Sequence, residues 1–572
     1  MITQGGTRRS RRRWRRAAAF ACAIALVSFA PTFDGVSAQA QTISDSWSSS
    51  VTLRTADGWY EAPVHATLLP DGRVLMIGVA RRTWPATTGT PTRRAAWIIN
   101  PAAATDPLPT EMTPQQLTEP VELNGAAYNG LTVNDDLFCS GATLTSDGRV
   151  FIAGGTRSFT KNGTPIVVLG LPYDTMFDPA TSTILRVPNY MVVAGSSGTS
   201  GRWYPTTTRL PDGRILIVGG FDRVIGAPGP AYNWSAETYD PTTGQRAVAA
   251  KFGGILKAIA NRDYPHQWVL PYASARTDLL VLGEADVPVT TSSASYSSFG
   301  PSAPMRPGAA SVTNPGFGQS SAMLEIRAKN RDSGYSNGSI LVAGGAMGSP
   351  LMAAADVYDP IAGSWKASIA TGTERHHPAT ITLPDGRVLV LTGHNMDGDA
   401  GVLNAQYIDP MNGFSVTSGT SSMAQIRGYH TVTLLLPDGR VLVGGGRDAS
   451  TDTSVEKPSV QYYSPDYMTQ ARPAIVAATT QIGYRQTFSI ITAGPAPKEA
   501  VLVALGSMTH SFDENQRVVQ LPVGTVLPGS SGTTVMIAGG PSDAWNAPPG
   551  YYMLFVLDQN RVPSVAKIVH VG

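Results

Sequence analysis

The chain repeats one unit: a turn reading Asp-Gly-Arg, an apolar strand, then glycine, usually doubled. Clear copies are LPDGRVLMIGV (69–79), TSDGRVFIAGG (145–155), LPDGRILIVGG (210–220), LPDGRVLVLTG (383–393) and LPDGRVLVGGG (436–446). Two degenerate copies, RTDLLVLGEAD (276–286) and SNGSILVAGG (336–345), bring the total to seven. Most are followed by a polar-Pro turn: IINP (98–101), FDP (177–179), YDP (239–241), YDP (358–360), YIDP (407–410) and YYSP (462–465). Asp-Gly favours a tight turn between antiparallel strands, and the Val/Ile/Leu run suits a buried strand. Glycine after the strand lets neighbouring backbones approach closely.

Repeats of this length, each a small sheet, predict an all-β chain with a seven-bladed kelch-type β-propeller over residues 51–470, after a short N-terminal segment at 39–50. From 472 to 572 the punctuation stops and alternating strands continue (FSIITA, VLVALG, YYMLFVLD, AKIVHVG), which suits an Ig-like, early-set β-sandwich. Composition agrees: 59 Gly, 43 Pro and 15% charged residues suit short strands and turns, not helical bundles.

Residues 1–38 read as a signal peptide: RRSRRRWRR (8–16), the apolar run 17–30 and small residues near Ala38. The paired arginines suggest twin-arginine export; an N-terminal anchor helix is the competing reading, weakened by the short apolar run. The leader holds seven of the 43 basic and one of the 41 acidic residues, so the remainder (36 basic, 40 acidic) carries −4. With no basic stripe, nucleic-acid binding has little support. The expectation is a monomer without a membrane span, secreted or periplasmic. Cys22 leaves with the leader, so Cys139 is the one cysteine left and forms no internal disulfide.

Nine residues before the Asp-Gly glycine stand Cys139, Tyr204, His377 and His430 in four of the copies. Equal offset means equivalent positions in different blades, at the channel end of the innermost strand. Cys139 and Tyr204 belong to consecutive copies and therefore to neighbouring blades, with His376 and Tyr429 one step earlier than their partners. Propeller channels are often filled by aromatics and histidines that only pack. A thiol, phenols and imidazoles on one rim point instead to a transition metal. Imidazole nitrogens with phenolate oxygen and an open position suit Cu(II) better than zinc.

The segments LFCSGATLTSDGR (137–149), GRWYPTTTRLPDGR (201–214), RGYHTVTLLLPDGRVLVGGG (427–446), SMTHSFDENQRVVQL (507–521) and PPGYYMLFVLDQNRVPSVA (548–566) resemble, in this order, the copper radical oxidases typified by galactose oxidase and glyoxal oxidase. The resemblance spans about residues 51–572. It implies one copper ion held by Tyr204, His430 and His510, with Tyr429 as the axial phenol, and a thioether joining Cys139 to the Tyr204 ring. The implied activity oxidises a primary alcohol, aldehyde or carbohydrate with O2 and releases H2O2. By the same resemblance Tyr429 would be the general base and the Cys139–Tyr204 radical the second one-electron centre.

Two departures bear on substrate. The tryptophan that covers the cross-linked tyrosine in galactose oxidase falls, by offset, on Asp222, preceded by Phe221; Trp84, Trp203 and Trp234 are the candidates to replace it. Nor is there room for that enzyme's N-terminal carbohydrate-binding domain. Both lean toward a small aldehyde or primary alcohol. His376, His377 and Phe221 are expected to line the substrate pocket. The competing functions are a non-catalytic propeller that binds glycans or protein partners, and a zinc-dependent hydrolase or lyase.

Overall fold

The computed structural model describes residues 42–86, 92–101, 109–120, 122–188, 191, 201–226, 230–233, 235–251, 264–272, 279–282, 292–296, 306–310, 317–328, 334–346, 353–362, 364–365, 368–394, 401–448 and 455–572. The predicted leader and Trp234 lie outside them. Seven sheets surround one channel, and their innermost strands are Tyr60–Leu68, Gly141–Leu144, Trp203–Arg209, His266–Val269, Phe317–Met323, Ala379–Thr382 and Thr431–Leu435, taken as blades 1 to 7. Val51–Leu53 pairs with Ser459–Ser464 and so closes the ring by completing the last blade with the first part of the chain. The stretch that the sequence leaves ahead of the first blade is not separate. Thr42–Ile43 pairs with the outer strand of blade 6, and Ser46–Trp47 with blade 7.

The Asp-Gly-Arg signature has a physical basis in each clear copy. The glycines at 72, 148, 213, 386 and 439 hold φ between 80° and 92°, where a side chain would be strained. The aspartate accepts from the arginine's backbone N–H and again from its Nε at 2.7–2.8 Å, so the turn is locked by its own side chains. In three of the copies the guanidinium also reaches the polar-Pro turn of the next blade. Arg73 donates to the Pro179 carbonyl at 2.6 Å, Arg149 to that of Pro241 at 3.2 Å, and Arg387 to Asp466 at 2.5 Å. One motif thus both ends a strand pair and staples blades together.

Beyond blade 7, a four-stranded and a five-stranded sheet, formed from residues 474–571, face each other around Ile490, Met536, Leu502, Leu554 and Val569. This sandwich sends a hairpin into the propeller. Ser507–Thr509 pairs antiparallel with blade 1's inner strand, Thr509 opposite His65, and turns back at Phe512–Asp513. Five other blades grip the hairpin and the residues after it. Glu514 Oε2 accepts from the backbone N–H groups of Ala142 (3.0 Å) and Thr207 (2.9 Å), and the Ser511 carbonyl accepts from Ser320 Oγ (2.5 Å). Gln516 Oε1 accepts from Thr382 Oγ1 (3.2 Å), and Arg517 donates to the Val269 carbonyl. Glu514 and Gln516 are buried, so these bonds replace water at the channel axis.

Candidate metal centre

The rim positions predicted from the nine-residue offset share one backbone conformation. Cys139, Tyr204, His377 and His430 have φ of 62°, 66°, 55° and 67°, all left-handed. Tyr264 (43°) and Gly318 (69°) supply the same position in blades 4 and 5. The rim is also tied blade to blade. The Tyr204 N–H donates to the Cys139 carbonyl (2.8 Å), Tyr264 to Tyr204 (2.9 Å), and His377 to Gly318 (2.8 Å). Left-handed residues break the alternation of a strand, so neighbours need not point oppositely. Tyr429 and His430 therefore lie side by side, rings 4.0 Å apart and inclined by 28°.

Four of the predicted residues converge from three elements. Tyr204 Oη lies 2.6 Å from Tyr429 Oη. The His510 ring is 4.7 Å from Tyr204, 5.1 Å from Tyr429 and 4.6 Å from His430. His510 arrives on the hairpin, whose two-residue turn, His510–Ser511, has φ of 44° and 69°, as a tight antiparallel hairpin demands. Cys139 joins them: its Sγ and a ring nitrogen of each of His430 and His510 lie within 4.8 Å of one another. The thiol is free and buried.

The two histidines are oriented alike. His430 Nδ1 donates to Glu456 Oε1 at 2.9 Å, and His510 Nδ1 lies 2.6 Å from Thr509 Oγ1. In both, the buried Nε2 has no hydrogen-bond partner among the described residues. A buried ring nitrogen facing phenols, with the opposite nitrogen fixed, is what imidazole ligation of a metal requires. Burial lowers the His430 pKa to about 4 against the pull of Glu456. Burial, with the neighbouring His430, also drives His510 well down, so both rings are neutral at pH 7 with lone pairs to give. Burial likewise pushes the Cys139 thiol and the Tyr204 phenol up. Burial works against the Glu456 carboxylate as well, but His430, Arg447 and Arg81 outweigh it and hold its pKa well below the usual range; Arg81 lies at 2.6 Å and Arg447 at 2.5 Å.

The cover over Tyr204 is Trp203. Its ring stacks at 3.8 Å and 11°, possible between sequence neighbours because Tyr204 is left-handed. Trp203 Nε1 donates to Thr156 Oγ1 (3.1 Å), which in turn donates to the Phe138 carbonyl (2.7 Å). Phe221 meets Trp203 edge-on at 5.8 Å. Asp222, where the offset falls, accepts from the Gly201 N–H at 3.2 Å and supports the strand start. His377 lies 5.0 Å from the Tyr429 ring, with His376 against it at 4.1 Å.

Sequence reasoning missed Tyr264, His65, Glu456 and His394. Tyr264 packs against both Tyr204 (4.7 Å) and His510 (4.5 Å), and its hydroxyl donates to the Ser140 carbonyl at 2.8 Å. Its blade has a long connection from Val269 to Leu279, so the nine-residue offset fails there. A signal was present: Arg-x-Tyr/His-Pro occurs at 202–205, 262–265 and 375–378.

Two phenols in contact, two buried imidazoles whose Nε2 atoms have no partner among the described residues, and a thiol at a propeller rim form a donor set of nitrogen and oxygen suited to a mononuclear transition-metal centre. Comparison with known proteins agrees. Residues 472–571 match the family described as galactose oxidase-like, Early set domain. An aldehyde oxidase GLOX of Vitis pseudoreticulata is 26% identical over 491 residues, covering 78% of this chain and 84% of the relative. A galactose oxidase of Gibberella zeae is 24% identical over 473 residues, covering 76% and 61%. In fold, the chain is similar to a fungal alcohol oxidase of the AA5 family solved in complex with copper (TM-score 0.65, 20% identity, 92% of this chain and 99% of that one). These likenesses in sequence support the copper radical oxidase family.

Proposed function

We propose that this copper oxidase converts a small aldehyde or primary alcohol, with O2, to the acid or aldehyde and H2O2. The observation that carries the proposal is the pair of partnerless Nε2 atoms on His430 and His510 beside the 2.6 Å Tyr204–Tyr429 contact. His430, His510, Tyr204 and Tyr429 would hold the ion, and copper, when bound, supplies one of the two one-electron centres that the oxidation needs. Tyr429 takes the proton from the substrate oxygen. The Tyr204 ring, joined to Cys139 Sγ, is the other centre and takes a hydrogen atom from the substrate carbon. An aldehyde enters as its hydrate, so that water supplies the acid's second oxygen and the O–H proton that Tyr429 takes; in either case both hydrogens leave with O2 as peroxide, which balances the reaction. Trp203 shields the radical, while Phe221 and His377, with His376 behind it, wall the pocket. Export by the leader, possession of an N-terminal signal peptide and a monomeric state belong to the same proposal. No helix among the described residues is long and apolar enough to cross a membrane.

The test is oxygen uptake by copper-loaded protein over aldehydes, primary alcohols and sugars. Peroxide formed one-for-one with oxygen consumed, fastest on small aldehydes or alcohols, is expected. No uptake on any of them would leave the propeller as a binding module.

Glu456→Gln tests the support behind His430. The amide keeps the size but removes the charge that Arg81 and Arg447 neutralise and that favours the Nδ1-protonated ring. Copper affinity, read by competition with a chelator, should fall roughly 10–100-fold. Unchanged affinity would reduce Glu456 to a partner of the two arginines.

A further inference from the structure

A second histidine cluster lies on the same rim, outside the residues assigned to copper. His376, His377 and His394 are all buried, and one ring nitrogen from each lies within 4.8 Å of the others. The backbone builds this convergence. His376 and His394 form a reciprocal bridge, N–H to carbonyl at 2.9 and 3.1 Å, bringing the ends of two strands of blade 6 together. His377, left-handed at φ 55°, turns its ring toward the same space instead of away from it. Rings 376 and 394 meet edge-on at 5.2 Å, and rings 376 and 377 are 4.1 Å apart.

Two glycines of neighbouring blades make the room. A Cβ on Gly318 would stand 2.6 Å from His376 Nε2 and 3.0 Å from His377 Cε1. A Cβ on Gly428 would stand 2.1 Å from His394 Cδ2. Packing alone is a poor account of three imidazoles gathered this closely. In the neutral form each imidazole carries a lone pair as well as an N–H. Three neutral nitrogen donors without thiolate exclude magnesium and calcium and select the nitrogen-seeking end of the first-row series.

We propose that His376, His377 and His394 bind a second first-row divalent ion, copper or zinc, next to Tyr429 and separate from the copper centre. The site goes beyond the oxidase reading, shares no ligand with it, and places an ion behind the pocket wall formed by His377.

The mature protein is stripped with chelator, incubated with excess copper(II) sulfate, desalted and analysed for metal per chain. Wild type is expected to retain close to two equivalents, His394→Ala close to one, His510→Asn close to one, and the double variant close to none. A parallel incubation of the copper-loaded protein with zinc sulfate separates the two ions: one copper and one zinc marks a zinc-preferring triad, two copper a copper-preferring one. Should His394→Ala not fold, anomalous scattering at the copper and zinc edges from wild-type crystals replaces it, with a peak among the three imidazoles expected. One equivalent in wild type, unaltered in His394→Ala, or no peak there, overturns the proposal. If the oxidase reading fails instead, the loss appears as missing metal or turnover at His510 while the triad still binds.

Discussion

Cys139→Ser is expected to lower oxidase turnover by roughly 10³-fold or more, the scale on which loss of one member of a unit is felt, and to change the mass of the copper-treated protein. Joining Sγ to the Tyr204 ring removes the thiol hydrogen and one ring hydrogen. One C–S bond forms, and both electrons and protons pass to O2. The treated wild type should therefore be lighter than its sequence by two hydrogen atoms, and the serine variant should show no deficit. The variant is a fair test because serine tolerates the left-handed backbone that Cys139 occupies (φ 62°), as Ser511 does at φ 69°. Cys139 is the one cysteine beyond the leader, buried, and held in the next blade's rim by the Tyr204 N–H at 2.8 Å. A full-mass wild type whose thiol reacts with an alkylating agent after copper and O2 would refute the cross-link.

The rim residues were legible because the propeller repeats. Wherever strand and turn have constant length, an offset in sequence is an angle around a channel, and so the sequence alone aligns Cys139, Tyr204, His377 and His430. The method fails where a connection lengthens, and Tyr264 and Gly318 were hidden for that reason. It also says nothing of contacts made by side chains from far along the chain. Glu456 sits on a loop 26 residues beyond the histidine it orients. Buried arginines are invisible to it too: Arg202, Arg375 and Arg427 precede the rim residues and donate to the carbonyls of Gly219, Thr392 and Gly445 at 2.5–2.6 Å, clamping each inner strand to its neighbour. Trp203 was found only as one of three candidates, because stacking of adjacent residues depends on a backbone angle that composition does not report.

His510→Asn should separate the two tasks of the hairpin, docking the sandwich and completing the copper centre. The docking bonds are made by Ser511, Glu514, Gln516 and Arg517, none of which the substitution touches. Asparagine accepts φ near 44° more readily than most residues, so the turn survives. The melting temperature of the metal-free variant should stay within a few degrees of wild type. Copper is different, because its proposed ligands stand on blade 3, blade 7 and the hairpin, so binding ties the sandwich to the propeller. Ligand binding to the folded state alone stabilises by about 4 kcal/mol at 1,000 times Kd, and wild type should melt several degrees higher when loaded. In His510→Asn that increment should shrink with the lost affinity. If the metal-free variant already melts far lower, His510 is a packing residue of the hairpin; if copper stabilises both proteins equally, the ion lies elsewhere.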